Sequence, residues 1–124
     1  MNKIKTFEDA CEKLGINPEE IKLSYPEGIN HHAKAFVAHM KLVIIIEALN
    51  DGWKPDWTNG NWDKYYAWFR MGGSSGVGFS FNGCGNWLSH SFVGSRLVFK
   101  SADLAKHVGK LFIDDFRDFL IINN

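Results

Sequence analysis

The side chains that could carry acid–base, nucleophilic or metal chemistry in this chain are five histidines, two cysteines and 14 acidic residues. His31, His32 and His39 fall on one predicted helix. Metal-binding histidines on a helix favour i,i+4 spacing, which puts both rings on one face. His32 and His39 are farther apart, about 10 Å along a helix axis, too far to share an ion without other ligands. They read as solvated or partner-facing. His90 and His107 stand alone in sequence, so no metal ligand set and no cofactor is expected.

Nucleophile and phosphate chemistry fare no better. Cys84 lies between glycines in Asn82-Gly83-Cys84-Gly85-Asn86, where it reads as a small residue in a tight turn. A reactive thiolate needs a neighbouring base and a depressed pKa, and His90 is the one local candidate. The run Gly72-Gly73-Ser74-Ser75-Gly76-Val77-Gly78 has the glycines of a phosphate loop but not its terminal Lys-Ser or Lys-Thr before a helix. It reads as a hairpin tip. Asp114, Asp115 and Asp118 could face a cation, but Arg117 beside them indicates a salt-laced solvent face. No catalytic set emerges.

What remains is a band of rings. Trp53, Trp57, Trp62, Tyr65, Tyr66, Trp68 and Trp87 are interleaved with Asp56, Asn59, Asn61, Asp63, Asn82 and Asn86. Rings with short polar side chains can stack on sugars or bases while hydrogen-bonding their edges. The same rings could instead fill the space beneath a long loop, since Trp53 and Trp57 have the i,i+4 spacing of a packed turn. The candidate ligand-binding residues are therefore Trp53, Trp57, Trp62, Tyr66, Trp68 and Trp87. Arg96 is added as a cation able to meet an anionic ligand or to salt-bridge an acid near the sheet.

These residues need elements to hold them. Thr6 caps a first helix, with Phe7, Ala10, Cys11 and Leu14 on one face and Gly15 as its stop. Asn17-Pro18-Glu19-Glu20 starts a short second one, closed by the turn Tyr25-Pro26-Glu27-Gly28. The strongest helix of the first half runs from about Asn30 to Asn50. It is apolar nearly all round, so it must lie across a sheet or between partners. Asp51-Gly52 and Pro55 end it.

A loop follows over 51–63. Lys64 to Met71 then reads as a strand, with Tyr65, Ala67, Phe69 and Met71 alternating against Tyr66, Trp68 and Arg70. A second strand is predicted at Val77 to Phe81, across a five-residue hairpin loop at Gly72–Gly76, and a third at Ser95 to Lys100. In that third strand Arg96 shares a face with Val98 and Lys100, opposite Leu97 and Phe99. Ser101 caps a last amphipathic helix that runs to the terminus. Helices, then strands, then a helix predict α+β rather than alternating α/β. The expected architecture is a single domain over 1–124: N-terminal helices, a small mainly antiparallel sheet of about three to four strands, and a C-terminal amphipathic helix packed on it.

Composition narrows the partner classes. The chain has 124 residues, 45% apolar and 23% charged, the balance of a globular domain with a real core. Aromatics reach 15%, with ten Phe, five Trp and three Tyr. Lys and Arg number 14 against 14 acids, a net charge of zero. A nucleic-acid binder normally carries a positive field, so nucleic acid is a disfavoured partner. Weak self-repulsion permits a homo-oligomer. The longest apolar run, Leu42 to Ile46, is too short to span a bilayer. Two separated cysteines and no signal-peptide pattern at the N-terminus point to a cytoplasmic setting.

Three segments carry a resemblance. They are Glu47-Ala-Leu-Asn-Asp-Gly-Trp53-Lys-Pro55-Asp56-Trp57, then Lys64-Tyr65-Tyr66-Ala-Trp68-Phe69, then Val93-Gly94-Ser95-Arg96-Leu97-Val-Phe99-Lys100-Ser101 with Leu104-Ala105 and Gly109-Lys110. Over about residues 41–120 the chain resembles a family of small uncharacterised proteins of Bacteroidetes genomes and their phages. The resemblance implies a phage or mobile-element accessory or virion protein, in the host-cell cytoplasm if phage-encoded, and assigns no catalytic residue. The expected function is a non-enzymatic binding or assembly protein, acting on itself or a protein partner. The alternatives are a glycan- or nucleotide-binding module using the Trp-rich loop and hairpin, and a small enzyme with a Cys/His site assembled by the fold.

Overall fold

The computed structural model of the protein describes residues 4–73 and 76–122. Helix α1 spans Phe7–Leu14, α2 Ala33–Asn50, strand β1 Lys64–Arg70, β2 Ser80–Trp87, α3 Ala102–Leu111 and α4 Ile113–Leu120. This is an α+β arrangement of N-terminal helices, an antiparallel two-stranded hairpin, and C-terminal helices of which α4 packs on α2.

The helix ends follow from side-chain chemistry. The Thr6 hydroxyl accepts from the Asp9 amide while the Asp9 carboxylate accepts from the Thr6 amide, a reciprocal capping box. That carboxylate also takes the Lys5 amide at 3.0 Å. Gly15 ends α1 at φ 72°, a left-handed position that costs glycine nothing. A 3-10 turn over Glu27–His32 leads into α2. As its all-round apolar composition requires, α2 lies between neighbours, with α1 and α4 against it and Ala38, Leu42, Ile45, Ile46, Ala48 and Leu49 buried.

The predicted last helix is two. Phe112 leaves helical geometry at φ −109°, ψ 33° and is shared by the end of α3 and the start of α4. The break lets α3 lie on the hairpin while α4 lies on α2. Phe112 and Phe116 both enter the core, and one straight helix would serve only one of these surfaces. Gly109 sits where α3 meets the hairpin: a Cβ there would come within 2.5 Å of the Phe81 ring and 3.1 Å of the Ala67 methyl.

The sheet differs most from expectation. The second strand is Ser80–Trp87, not Val77–Phe81, so the expected turn at Asn82–Asn86 is extended backbone paired with β1. The expected tip at Gly72–Gly76 includes Ser74 and Ser75, which lie outside the described residues. Pairing runs from Lys64 opposite Trp87 to Arg70 opposite Ser80, with a bulge where the register shifts between Trp68 and Phe69.

The expected third strand is a 3-10 turn at Ser95–Leu97 followed by one bridge, Phe99 to Tyr65. Two backbone bonds make that bridge, of 3.0 and 2.7 Å. On its other side the segment meets a side chain: the Asn50 amide donates to the Val98 carbonyl at 2.9 Å and accepts from the Lys100 amide at 3.1 Å. Val98 and Phe99 are both buried, so inside–outside alternation does not hold here. Among the described residues the sheet therefore has two strands rather than three to four.

Candidate functional site

The alternation of β1 decides where the rings go. Tyr65, Ala67 and Phe69 pack on the core together with Cys84 from β2. Tyr66, Trp68 and Arg70 consequently project from the opposite, outer face. Opposite Tyr66 on β2 stands Gly85, and opposite Trp68 stands Gly83. Both are glycines for physical reasons. The Tyr66 ring lies across Gly85, where a Cβ would come within 2.5 Å of its hydroxyl oxygen. Gly83 has φ 150°, outside the comfortable range of other residues, and leaves open backbone next to Trp68.

The Tyr66 ring stacks on Trp87 with centroids 5.0 Å apart and planes at 15°, and Phe92 meets Trp87 edge-on at 5.2 Å. Along the outer face this gives a row of Trp68, Tyr66, Trp87 and Phe92. Trp68 is 57% exposed and Phe92 93%. Arg70 edges the row, its guanidinium donating to the Asn82 amide oxygen at 3.2 Å, whereas Asn86, opposite Tyr65 on the inner side, donates to Asp63 at 2.6 Å. Asp63 also accepts from the Tyr65 hydroxyl, which holds the Tyr65 phenol above its ordinary pKa. The Trp87 indole N–H is buried with no acceptor among the described residues.

The loop over 51–63 is built differently. Asp56 accepts from the amide and the hydroxyl of Thr58, which holds its carboxyl below the usual range, and Asn59 accepts from the Asn61 amide. Lys64, 0% exposed, reaches back under these turns. Its ammonium donates to the Asn59 carbonyl at 2.9 Å and to the Leu88 carbonyl at 2.6 Å, and lies 5.4 Å from the centre of the Trp57 ring. The Trp57 indole N–H donates to the Ser95 hydroxyl at 2.7 Å. Trp57 thus ties the loop to the 95–97 turn and is engaged on two sides.

The predicted site residues therefore fall in separate places. Tyr66, Trp68 and Trp87 share the outer hairpin face. Trp53 and Arg96 instead line a groove beside the ends of α1 and α2. Trp57 is a structural tie, and Trp62 is an exposed ring on the loop. Arg96 sits on a 3-10 turn, not a strand, and has no carboxylate within ion-pair distance among the described residues. Phe92, Gly83 and Gly85 complete the hairpin face, although Phe92 was not among the candidate residues and the two glycines read as a turn. The signal for the glycines was their period of two, Gly83 and Gly85 flanking an inward Cys84.

Other constellations acquire definite positions. Cys84 is in a strand and faces the core, not a turn. His39 packs on Phe119 with ring centroids 4.8 Å apart, and His107 meets the Ile4 carbonyl at 3.0 Å. Among the described residues no group of three or more His, Cys, Asp or Glu is disposed to hold a metal, and no helix is long and apolar enough to cross a membrane. The ion pair found among them is Lys13 with Asp51 at 3.4 Å, so the acids of α4 do not form the expected salt-laced face. Compared with protein-family models, with curated proteins and with solved structures, the chain has no match in any of the three.

Proposed function

We infer that the chain is a non-enzymatic assembly protein whose outer hairpin face docks on a second copy of itself. The observation that carries this reading is the row Trp68, Tyr66, Trp87 and Phe92, whose end members stand open to solvent. Large contiguous apolar patches on small proteins mark interaction surfaces, and Trp and Tyr dominate interface energetics. Zero net charge offers little overall repulsion to an identical chain related by a two-fold axis. The resemblance to a family of Bacteroidetes and their phages extends the reading to phage or mobile-element assembly in the host cytoplasm.

Sedimentation of the purified chain across a concentration series tests it. The expected result is a reversible dimer that Trp68→Ala or Phe92→Ala weakens by about thirtyfold or more, as hot-spot losses do. At concentrations where the wild type is monomeric, both variants should unfold at its denaturant midpoint, because neither ring is in the core. A chain that stays monomeric to high micromolar concentration overturns the reading. So does a dimer indifferent to both substitutions. The rival occupant of the same face is a glycan stacked on Trp68 with Asn82 at its edge, and saturable oligosaccharide binding by a monomer would replace assembly with that function.

A further inference from the structure

The ends of α1 and α2, the Asp51–Pro55 segment and the Ser95–Arg96 turn enclose a groove of about 750 Å³, a size that takes a small organic molecule. None of its lining residues belongs to the hairpin. Leu14, Val43 and Ile46 give it an apolar floor, and the half-buried Trp53 ring gives it a flat wall.

The polar lining is weighted toward donors. Lys13 is already held by Asp51 at 3.4 Å. Lys54 and Arg96 have no carboxylate partner among the described residues, though both line the groove. Ser95 adds a third donor. Its hydroxyl oxygen accepts the Trp57 indole N–H at 2.7 Å, so its own proton remains to be given, and no acceptor among the described residues takes it. Three uncommitted donors beside an aromatic wall are the chemistry that recognises an anion attached to a ring. Glu47, also on the lining, disfavours a second negative group and accepts from a donor on the ligand body.

We propose that this groove binds a small organic anion with a planar apolar body, its ring against Trp53 and its single carboxylate or phosphate group held by Arg96, Lys54 and the Ser95 hydroxyl. This site is independent of the hairpin face, and either can exist without the other.

Amide spectra of the full chain, titrated separately with indole-3-acetate and adenosine 5′-monophosphate and with their neutral counterparts indole-3-acetamide and adenosine, test the proposal. At least one anion should shift the Trp53, Lys54 and Arg96 amides saturably by millimolar concentration. Its neutral counterpart should bind about tenfold more weakly, the loss of one charge-assisted contact. Whichever anion binds more tightly identifies carboxylate or phosphate as the head group. Arg96→Ala and Lys54→Ala, both at exposed positions, should abolish that preference without disturbing the rest of the spectrum. Equal binding of anion and neutral partner overturns the proposal, as does a preference that survives both substitutions. Saturable shifts confined to Trp68 and Trp87, or none from either anion at the groove, overturn it too.

Discussion

The side-chain amide of Asn50 donates to the backbone carbonyl of Val98 at 2.9 Å, joining the end of α2 to a segment 48 residues further along the chain. Its oxygen simultaneously accepts the Lys100 amide. One carboxamide thus acts as the neighbouring strand that residues 98–100 otherwise lack on that edge. Asn50→Ala leaves a buried carbonyl and an amide without partners. The expected cost is about 2–4 kcal/mol, read as a lowered urea midpoint, with faster amide exchange at Lys100.

Lys64 should be the most sensitive charged residue in the chain. Its ammonium satisfies two carbonyls beneath the Trp57 ring, and the residue has no exposed surface. Lys64→Met preserves the stem but not the donors, and should destabilise by about 2–4 kcal/mol. Circular dichroism on heating would show the lower midpoint. Trp57 fluorescence should shift as well, since the loop and the end of β2 lose their common anchor.

Gly109→Ala separates helix propensity from packing. Alanine is better than glycine inside a helix by about 1 kcal/mol, yet here its methyl would enter the Phe81 ring and press on Ala67. Overpacking of this kind costs about 1–3 kcal/mol. A net loss of stability is expected, and Gly109→Ser should behave no better. A stabilised alanine variant would mean that α3 can slide off the hairpin at little cost.

Two titrating groups should shape stability at opposite ends of the pH scale. The Asp9 carboxyl is held below the usual aspartate range, first by the Lys5 amide and then by the Thr6 hydroxyl and amide. A depressed folded pKa gives stability that is present above the unfolded value and lost as pH falls through the folded one. Asp9→Asn should therefore flatten the acid limb of the stability curve. Burial pushes the Cys11 thiol up, with Glu8 adding to the effect. That contribution is fully present below the ordinary thiol range and lost as pH rises from it through the raised folded value. Denaturant titrations from acid to alkaline pH would show both limbs, and a thiol reagent should reach Cys11 only through unfolding, because the residue is buried.

How much of this could be read from residues alone depended on whether the governing contact was local. The Thr6 and Gly15 boundaries of α1, the Asp51-Gly52 end of α2 and the two faces of β1 rest on chemistry within a few residues, and each was legible. The second strand was not. Asn82-Gly83-Cys84-Gly85-Asn86 carries turn residues, but Gly85 answers to the Tyr66 ring across the hairpin and Gly83 to its own φ of 150° at the bulge. The third strand failed for a similar reason, its place in the ladder being set by Asn50 far upstream. The break at Phe112 has no glycine or proline to announce it and reflects two packing surfaces facing different ways.

The candidate site shows the same division. Alternation along β1 and the pairing with β2 put Tyr66, Trp68 and Trp87 on one face, whereas ring content alone marked them only as part of a longer band. It could not separate them from Trp53, which the end of α2 carries to a different groove, or from Trp57, which Ser95 and Lys64 claim for the loop. Those assignments depend on contacts spanning 38 residues in the case of Trp57 and Ser95.

The bulge between Trp68 and Phe69 also bears on solubility. Among the described residues no strand pairs with the far edge of the eight-residue β2, and an open strand edge is a template for further strands. The register shift falls in the middle of the hairpin, with Gly83 beside it at φ 150°. A kinked, glycine-bearing border offers an incoming chain no straight run of matched donors and acceptors. The irregular step therefore serves as a guard against fibril-like stacking by strand addition at this border.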